Sequence, residues 1–200
     1  PKVTAKARLK TMVRAGLSTL LAASGGDRLI GRRYGGHGVI LMFHEFVRSS
    51  RDMLGQGCPV ADFDAILTAL RASGRDFVKA DEALRRLADP DTRPFVVLTF
   101  DDGYRSNIDL ALPVMERHSA PATIFVPSGM IDRTINAWWL GLRELALTCD
   151  VIDMQPMGLR LECRDPAMKK AALEFMTAWV WGDFNRASQL APVFAAHKVS

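Results

Sequence analysis

Two hundred residues suit one domain or part of a larger one, and 48% hydrophobic with 24% charged residues is globular rather than disordered material. The net charge of +4 is modest. The basic residues crowd the first third (Lys2, Lys6, Arg8, Lys10, Arg14, Arg28, Arg32, Arg33) without a consecutive run or aromatic-basic interleaving, so they read as a solvated basic face and argue against a nucleic-acid partner.

In chain order, Lys6 to Ser24 begins basic and carries small residues, as a signal peptide does. Leu9, Met12, Val13, Leu17, Leu20 and Leu21, however, recur at three- and four-residue spacing, which predicts an amphipathic helix over Thr4 to Ala23, docked on the protein or lying on a membrane surface. No stretch approaches the roughly 20 apolar residues that span a bilayer. Val39 to Phe43 is an apolar run of strand length ending at His44-Glu45, and Arg48 to Pro59 reads as a loop. Phe63, Ile66, Leu67 and Leu70 mark one face of a helix over Asp62 to Ala72. Phe77-Val78 make a short strand, and Asp81 is placed to cap a helix running to Leu87. Phe95 to Phe100 is a buried strand. A helix over Ser106 to His118 follows, packing through Leu110, Leu112, Val114 and Met115, with a kink or late start at Pro113. Ala122 to Val126 is a further strand, Ala137 to Thr148 a helix containing Trp138-Trp139, and Pro166 onward is helical with a break near Gly182-Asp183. Trp179 and Trp181, with Phe175 and Val180, mark that last helix as buried or partner-facing.

Short apolar strands alternating with helices predict an α/β fold with parallel strands, where functional groups collect at strand carboxyl ends. His44, Asp101, Asp102 and Ser128 all lie just past a predicted strand end. Adjacent carboxylates in such a place need a cation or a shared proton, because like charges repel and burial penalises them. The alternative is structural: Asp102 caps the next helix and Gly103 makes the turn. Trp138 and Trp139 diverge by about a hundred degrees on a helix, so at most one faces a site. Three cysteines, Cys58, Cys149 and Cys163, show no CxxC or metal-ligand spacing. They argue against a disulfide framework and for a reducing, cytoplasmic setting.

Thr99-Phe100-Asp101-Asp102-Gly103-Tyr104 resembles the TFDDG signature of the polysaccharide deacetylase family, the group with nodulation-protein-B homology. Val39 to His44 is similar to that family's first barrel strand, Pro121 to Val126 to the strand after the Asp motif, and Asp132 with Trp138-Trp139 to a subgroup with an insertion. The resemblance spans about residues 38 to 140. It implies the N-terminal portion of a distorted (β/α) barrel with extra helices at both ends. It further implies a metal-dependent hydrolase that removes acetyl groups from an N-acetylated poly- or oligosaccharide. Asp101 would be the general base and Asp102 a ligand of a divalent metal, zinc or cobalt, while His44, Tyr104 and Trp139 would contact substrate.

The family completes its metal site with a His-Ser/Thr-x-x-His motif, and no two of His37, His44, His118 and His197 are four apart. His118 reads as a histidine facing a helix-end dipole. Two readings follow: an incomplete part of a longer deacetylase, inactive alone, or a non-catalytic carbohydrate-binding or scaffold relative. The first divides the chain into a lead-in over 1–36, a deacetylase-like region over 37–148 and a helical insertion or remainder over 149–200. It also predicts exposed apolar surface and self-association.

Overall fold

The computed structural model describes residues 36–89 and 91–199, so the amphipathic stretch over 4–23 lies outside the described residues. Strands β1 (Gly38–Phe43), β4 (Asp76–Val78), β5 (Phe95–Asp101) and β6 (Ala122–Phe125) form one parallel sheet with β5 at its centre. One edge of β5 pairs with β1, from Gly38↔Phe95 to Phe43↔Phe100. Its other edge is shared, β4 along Phe95 to Val97 and β6 along Leu98 to Asp101. The fold is therefore α/β with parallel strands, as the alternation of strands and helices predicts.

Alternation of side chains gives this sheet two unlike faces. Val96, Leu98 and Phe100 enter a core with Phe63 and Leu67 of α1 (Val60–Ala72) and Val114 of α3 (Leu112–Arg117). Phe63 is its centre: its ring meets Phe43 at 5.0 Å edge-on and Phe46 at 4.8 Å. Helix α2 (Ala80–Leu87) covers only the start of the opposite face, where Ala83 packs with Val78, Phe95 and Val97. Beyond it Ile40 and Met42 stand 65% and 61% exposed, which is the open apolar surface foreseen from the sequence.

A second core lies elsewhere. Trp138, Leu142, Leu145 and Ala146 of α5 (Trp138–Thr148) pack with Ile152, Met154, Leu173, Met176, Val180, Leu190 and Val193. These come from strand β7 (Val151–Met154), helix α6 (Pro166–Gly182), a 3-10 segment (Phe184–Leu190) and α7 (Ala191–Ala196). The Asp165 carboxylate caps α6 by accepting from the amides of Ala167 and Met168, and Asp183 caps the segment after the break. Helix α6 is mixed in exposure: Val180 is buried, while Trp181 and Phe175 are exposed.

Four local expectations are corrected. The stretch 48–59 contains a 3-10 turn (Asp52–Gly55), and its Cys58–Pro59 strand, β3, pairs with β2 (Phe46–Val47). The N-cap position of α2 is Lys79, and Asp81 sits inside the first turn, where its carboxylate accepts from the Glu82 amide at 3.0 Å and its charge complements the helix dipole. The α-helix takes the late start expected at Pro113, but the chain before it is a π-turn over Asn107–Ala111, a wide turn that accommodates a residue lacking an amide hydrogen. The altered helical register leaves Leu112 exposed and Ala111 buried. Finally, 149–165 holds an antiparallel hairpin of β7 and β8 (Leu159–Glu162), turned at Gly158 with φ +61°.

Candidate active site

On β5, Val97, Thr99 and Asp101 face away from the helical core, and on β1 so do Ile40, Met42 and, one step on, His44. The last rung, Phe43↔Phe100, therefore puts His44 opposite Asp101. Their side chains approach to 3.9 Å, Nε2 to Oδ2, close enough for charge interaction and too far for a hydrogen bond. Asp101 and Asp102 close one end of an open groove of about 720 Å³, otherwise walled mainly by apolar side chains such as Met42, Leu84, Leu87 and Phe125.

Asp102 and Gly103 both adopt left-handed backbone, each with φ +67°. A Cβ on Gly103 would come within 3.1 Å of Val126 Cγ2 and push that side chain by a few tenths of an ångström, so both conformation and space favour glycine here. Asp102 does not cap the following helix: the cap position is Ser106, and no side chain caps it. An aspartate held in a left-handed turn, without a capping role, is backbone strain of the kind that accumulates at functional sites.

A second, polar cleft of about 400 Å³ lies on the other side of His44, lined by Glu45, Gln56, Cys58, Tyr104, Trp139 and Arg143 among others. The Trp139 Nε1–H donates to Tyr104 Oη at 3.1 Å. Burial, with the nearby Glu45 and Asp102 carboxylates, pushes the Tyr104 phenol above its ordinary value, so it stays protonated. Arg143 grips Glu45 with both guanidinium Nη atoms, Nη2 to Oε1 at 3.2 Å and Nη1 to Oε2. Trp138 turns the other way into the second core, its ring edge-on to Trp139 at 5.9 Å.

The structure thus gathers His44, Tyr104 and Trp139 around one cleft beside Asp101 and Asp102. Ser128 begins the short helix α4 (Ser128–Ile131), and Pro127 before it borders the groove. The other histidines lie elsewhere. His37 is at the opposite end of the sheet, its carbonyl accepting from the Phe95 amide. His118 ends α3 and contacts Asp64 through Nε2 at 2.6 Å, while His197 accepts the Asp153 amide at 3.1 Å. Glu45 and Arg143 were not singled out from the sequence. Their signal is there: Arg143 is four residues after Trp139, hence on the same helical face, and Glu45 follows His44.

A zinc ion takes three or four protein ligands. Among the described residues no group of three or more His, Cys, Asp or Glu side chains is placed to hold a metal ion. All four histidines are among those residues, so the side chains present do not fit a complete metal centre.

The geometry defines an α/β protein with two carboxylates at the carboxyl end of its central parallel strand. Residues 88–161 match the polysaccharide deacetylase family, which bears out over that segment the resemblance carried by Thr99 to Tyr104. The chain is similar to IcaB from Ammonifex degensii at 33% identity over 46% of this chain and 38% of that one, TM-score 0.39. It is similar to the Streptococcus pyogenes deacetylase PplD, solved with acetate, at 26% identity over 47% and 44%, TM-score 0.41. A de-N-acetylase from Aggregatibacter actinomycetemcomitans matches at 17% identity over 64% and 45%, TM-score 0.39. The chain spans less than half the length of each of these structures. A comparison with curated proteins found no match. Among the described residues no helix is long and apolar enough to cross a membrane.

Proposed function

We propose that this chain carries the carboxylate half of a hydrolase site that removes acetyl groups from an N-acetylated poly- or oligosaccharide. The observation that carries this reading is the Asp101-Asp102 pair, at a strand end and within the segment that matches polysaccharide deacetylases. Asp101 acts as general base, taking a proton from an attacking water; its half-buried carboxylate on the groove lining supports this role. Asp102 would supply one oxygen ligand to a divalent cation, zinc or cobalt, whose chemistry would be to polarise the amide carbonyl. Because the described residues do not complete such a centre, no step of the reaction is assigned to the ion. On this reading the sheet is the N-terminal portion of a distorted (β/α) barrel, its open groove is the barrel interior, and the 200-residue chain hydrolyses little by itself. Its three free thiols support a reducing, cytoplasmic setting.

A second reading draws on the incomplete ligand set: a carbohydrate-binding or scaffold relative that keeps the Asp motif without catalysis. Acetate release from N-acetylated oligosaccharides by the full-length protein, with zinc or cobalt added, separates the two. Release that disappears in Asp101→Asn supports the hydrolase, and no release under either metal supports the binding relative.

A further inference from the structure

Building on the deacetylase reading, we propose that the polar cleft beside His44 is a saccharide subsite. In it the Glu45–Arg143 pair reads neighbouring hydroxyl groups of an N-acetylhexosamine unit adjoining the one at Asp101.

The pair is an expensive way merely to fasten α5 to the end of β1. Both side chains are largely buried, 15% and 13% exposed, and apolar residues of similar volume would join the two elements without the desolvation cost. What the pair offers instead is a donor and an acceptor fixed side by side on the wall of an open cleft. Arg143 gives two of its five N–H donors to Glu45, and Glu45 retains acceptor capacity beyond that fork. A vicinal diol has the complementary pattern, since each hydroxyl both donates and accepts. The pair is neutral as a unit, which favours an uncharged sugar over an anion or an amine.

The rest of the cleft fits the same ligand. Tyr104 Oη accepts from Trp139, so its own proton is available to a ligand acceptor. That hydrogen bond and the edge contact with Trp138 hold the Trp139 indole against the cleft, where a ring face suits the C–H side of a sugar. Because these side chains are already ordered by one another, binding loses little rotamer entropy. His44 lines the cleft and also stands 3.9 Å from Asp101, so a saccharide chain lying here passes directly to the proposed base.

Cys58 lies in the same lining and gives a test that needs neither catalysis nor metal. Tetra-N-acetylchitotetraose is titrated into the full-length protein in chelator-treated buffer, following tryptophan fluorescence. In parallel, alkylation of Cys58 is followed by peptide mapping, with Cys149 as the internal reference. The expected result is saturable binding, with Cys58 alkylation slowed at least threefold and Cys149 unchanged. Glu45→Gln and Arg143→Lys should each weaken binding at least tenfold with the thermal transition retained. The wild-type Cys58 protection decides the matter if either variant fails to fold. Absence of binding, affinity unchanged in both folded variants, or Cys58 alkylated equally fast with oligosaccharide overturns the subsite. Acetate release by the full-length protein is a separate readout, so failure of the deacetylase reading is distinguishable from failure of the subsite.

Discussion

His44 and Asp101 face each other one step beyond the last rung, Phe43↔Phe100, of two parallel strands, with Nε2 and Oδ2 3.9 Å apart. Neither residue neighbours the other in sequence. The register between β1 and β5 creates the relationship, and the two-residue side-chain period puts both on the face opposite α1 and α3.

If the proposed deacetylase reading holds, Asp101→Asn abolishes most acetate release from N-acetylated oligosaccharides while leaving the fold intact. Removing a general base costs about 10²–10⁴-fold in rate. The change in unfolding free energy should stay within about 0.5 kcal/mol, because the Asp101 carboxylate forms no hydrogen bond among the described residues. A kcat measurement beside a urea melt checks both halves.

Gly103→Ala should destabilise the chain by about 1–2 kcal/mol, since φ +67° and the Val126 methyls both oppose a Cβ. Asp102→Asn should differ by no more than about 0.5 kcal/mol, because asparagine tolerates the left-handed region at least as well. Equal thermal shifts for the two variants would contradict this account of the turn.

Phe63→Ala should cost about 3–5 kcal/mol and Met176→Ala about 2–5 kcal/mol, because both side chains are fully buried in close-packed cores. They belong to different clusters, so the double variant should show the sum within about 0.5 kcal/mol. Denaturant midpoints of the single and double variants test the separation of the two cores.

Acid should weaken the contact between β4 and α2. The Arg86 guanidinium hydrogen-bonded to Asp76 at 2.8 Å holds that carboxyl below the ordinary aspartate value, and Arg93 adds to the effect. A depressed folded value means the stabilisation is fully present above the unfolded value and is lost as pH falls through the folded one. Melting temperature followed from about pH 5 down to about pH 2 should therefore fall less steeply in Asp76→Asn than in the wild type.

Much of this protein was legible because its signals are local. Apolar runs marked β1, β5 and β6, and the face Phe63, Ile66, Leu67 and Leu70 marked α1. The Asp pair announced itself as two charges at the end of a buried strand. The hairpin over 149–165 is faint in the sequence although Ile152 and Met154 flank the polar Asp153, since each strand is only four residues long. Asp81 and Leu112 were misplaced because a cap and a helical register depend on where the first turn closes, which Lys79 and the π-turn decide.

By itself the amino-acid sequence determined the class of fold, the carboxylates at the end of a buried strand and the divergence of Trp138 from Trp139 on one helix. All of these follow from periods of two or 3.6 residues and from the company a charge keeps along the chain. Only the tertiary structure decided that His44 stands across from Asp101, that Arg143 reaches Glu45, and that His118 and His197 are taken by Asp64 and the Asp153 amide. Those partners lie tens of residues apart, and strand register and helix packing, which bring them together, are properties of the whole folded chain.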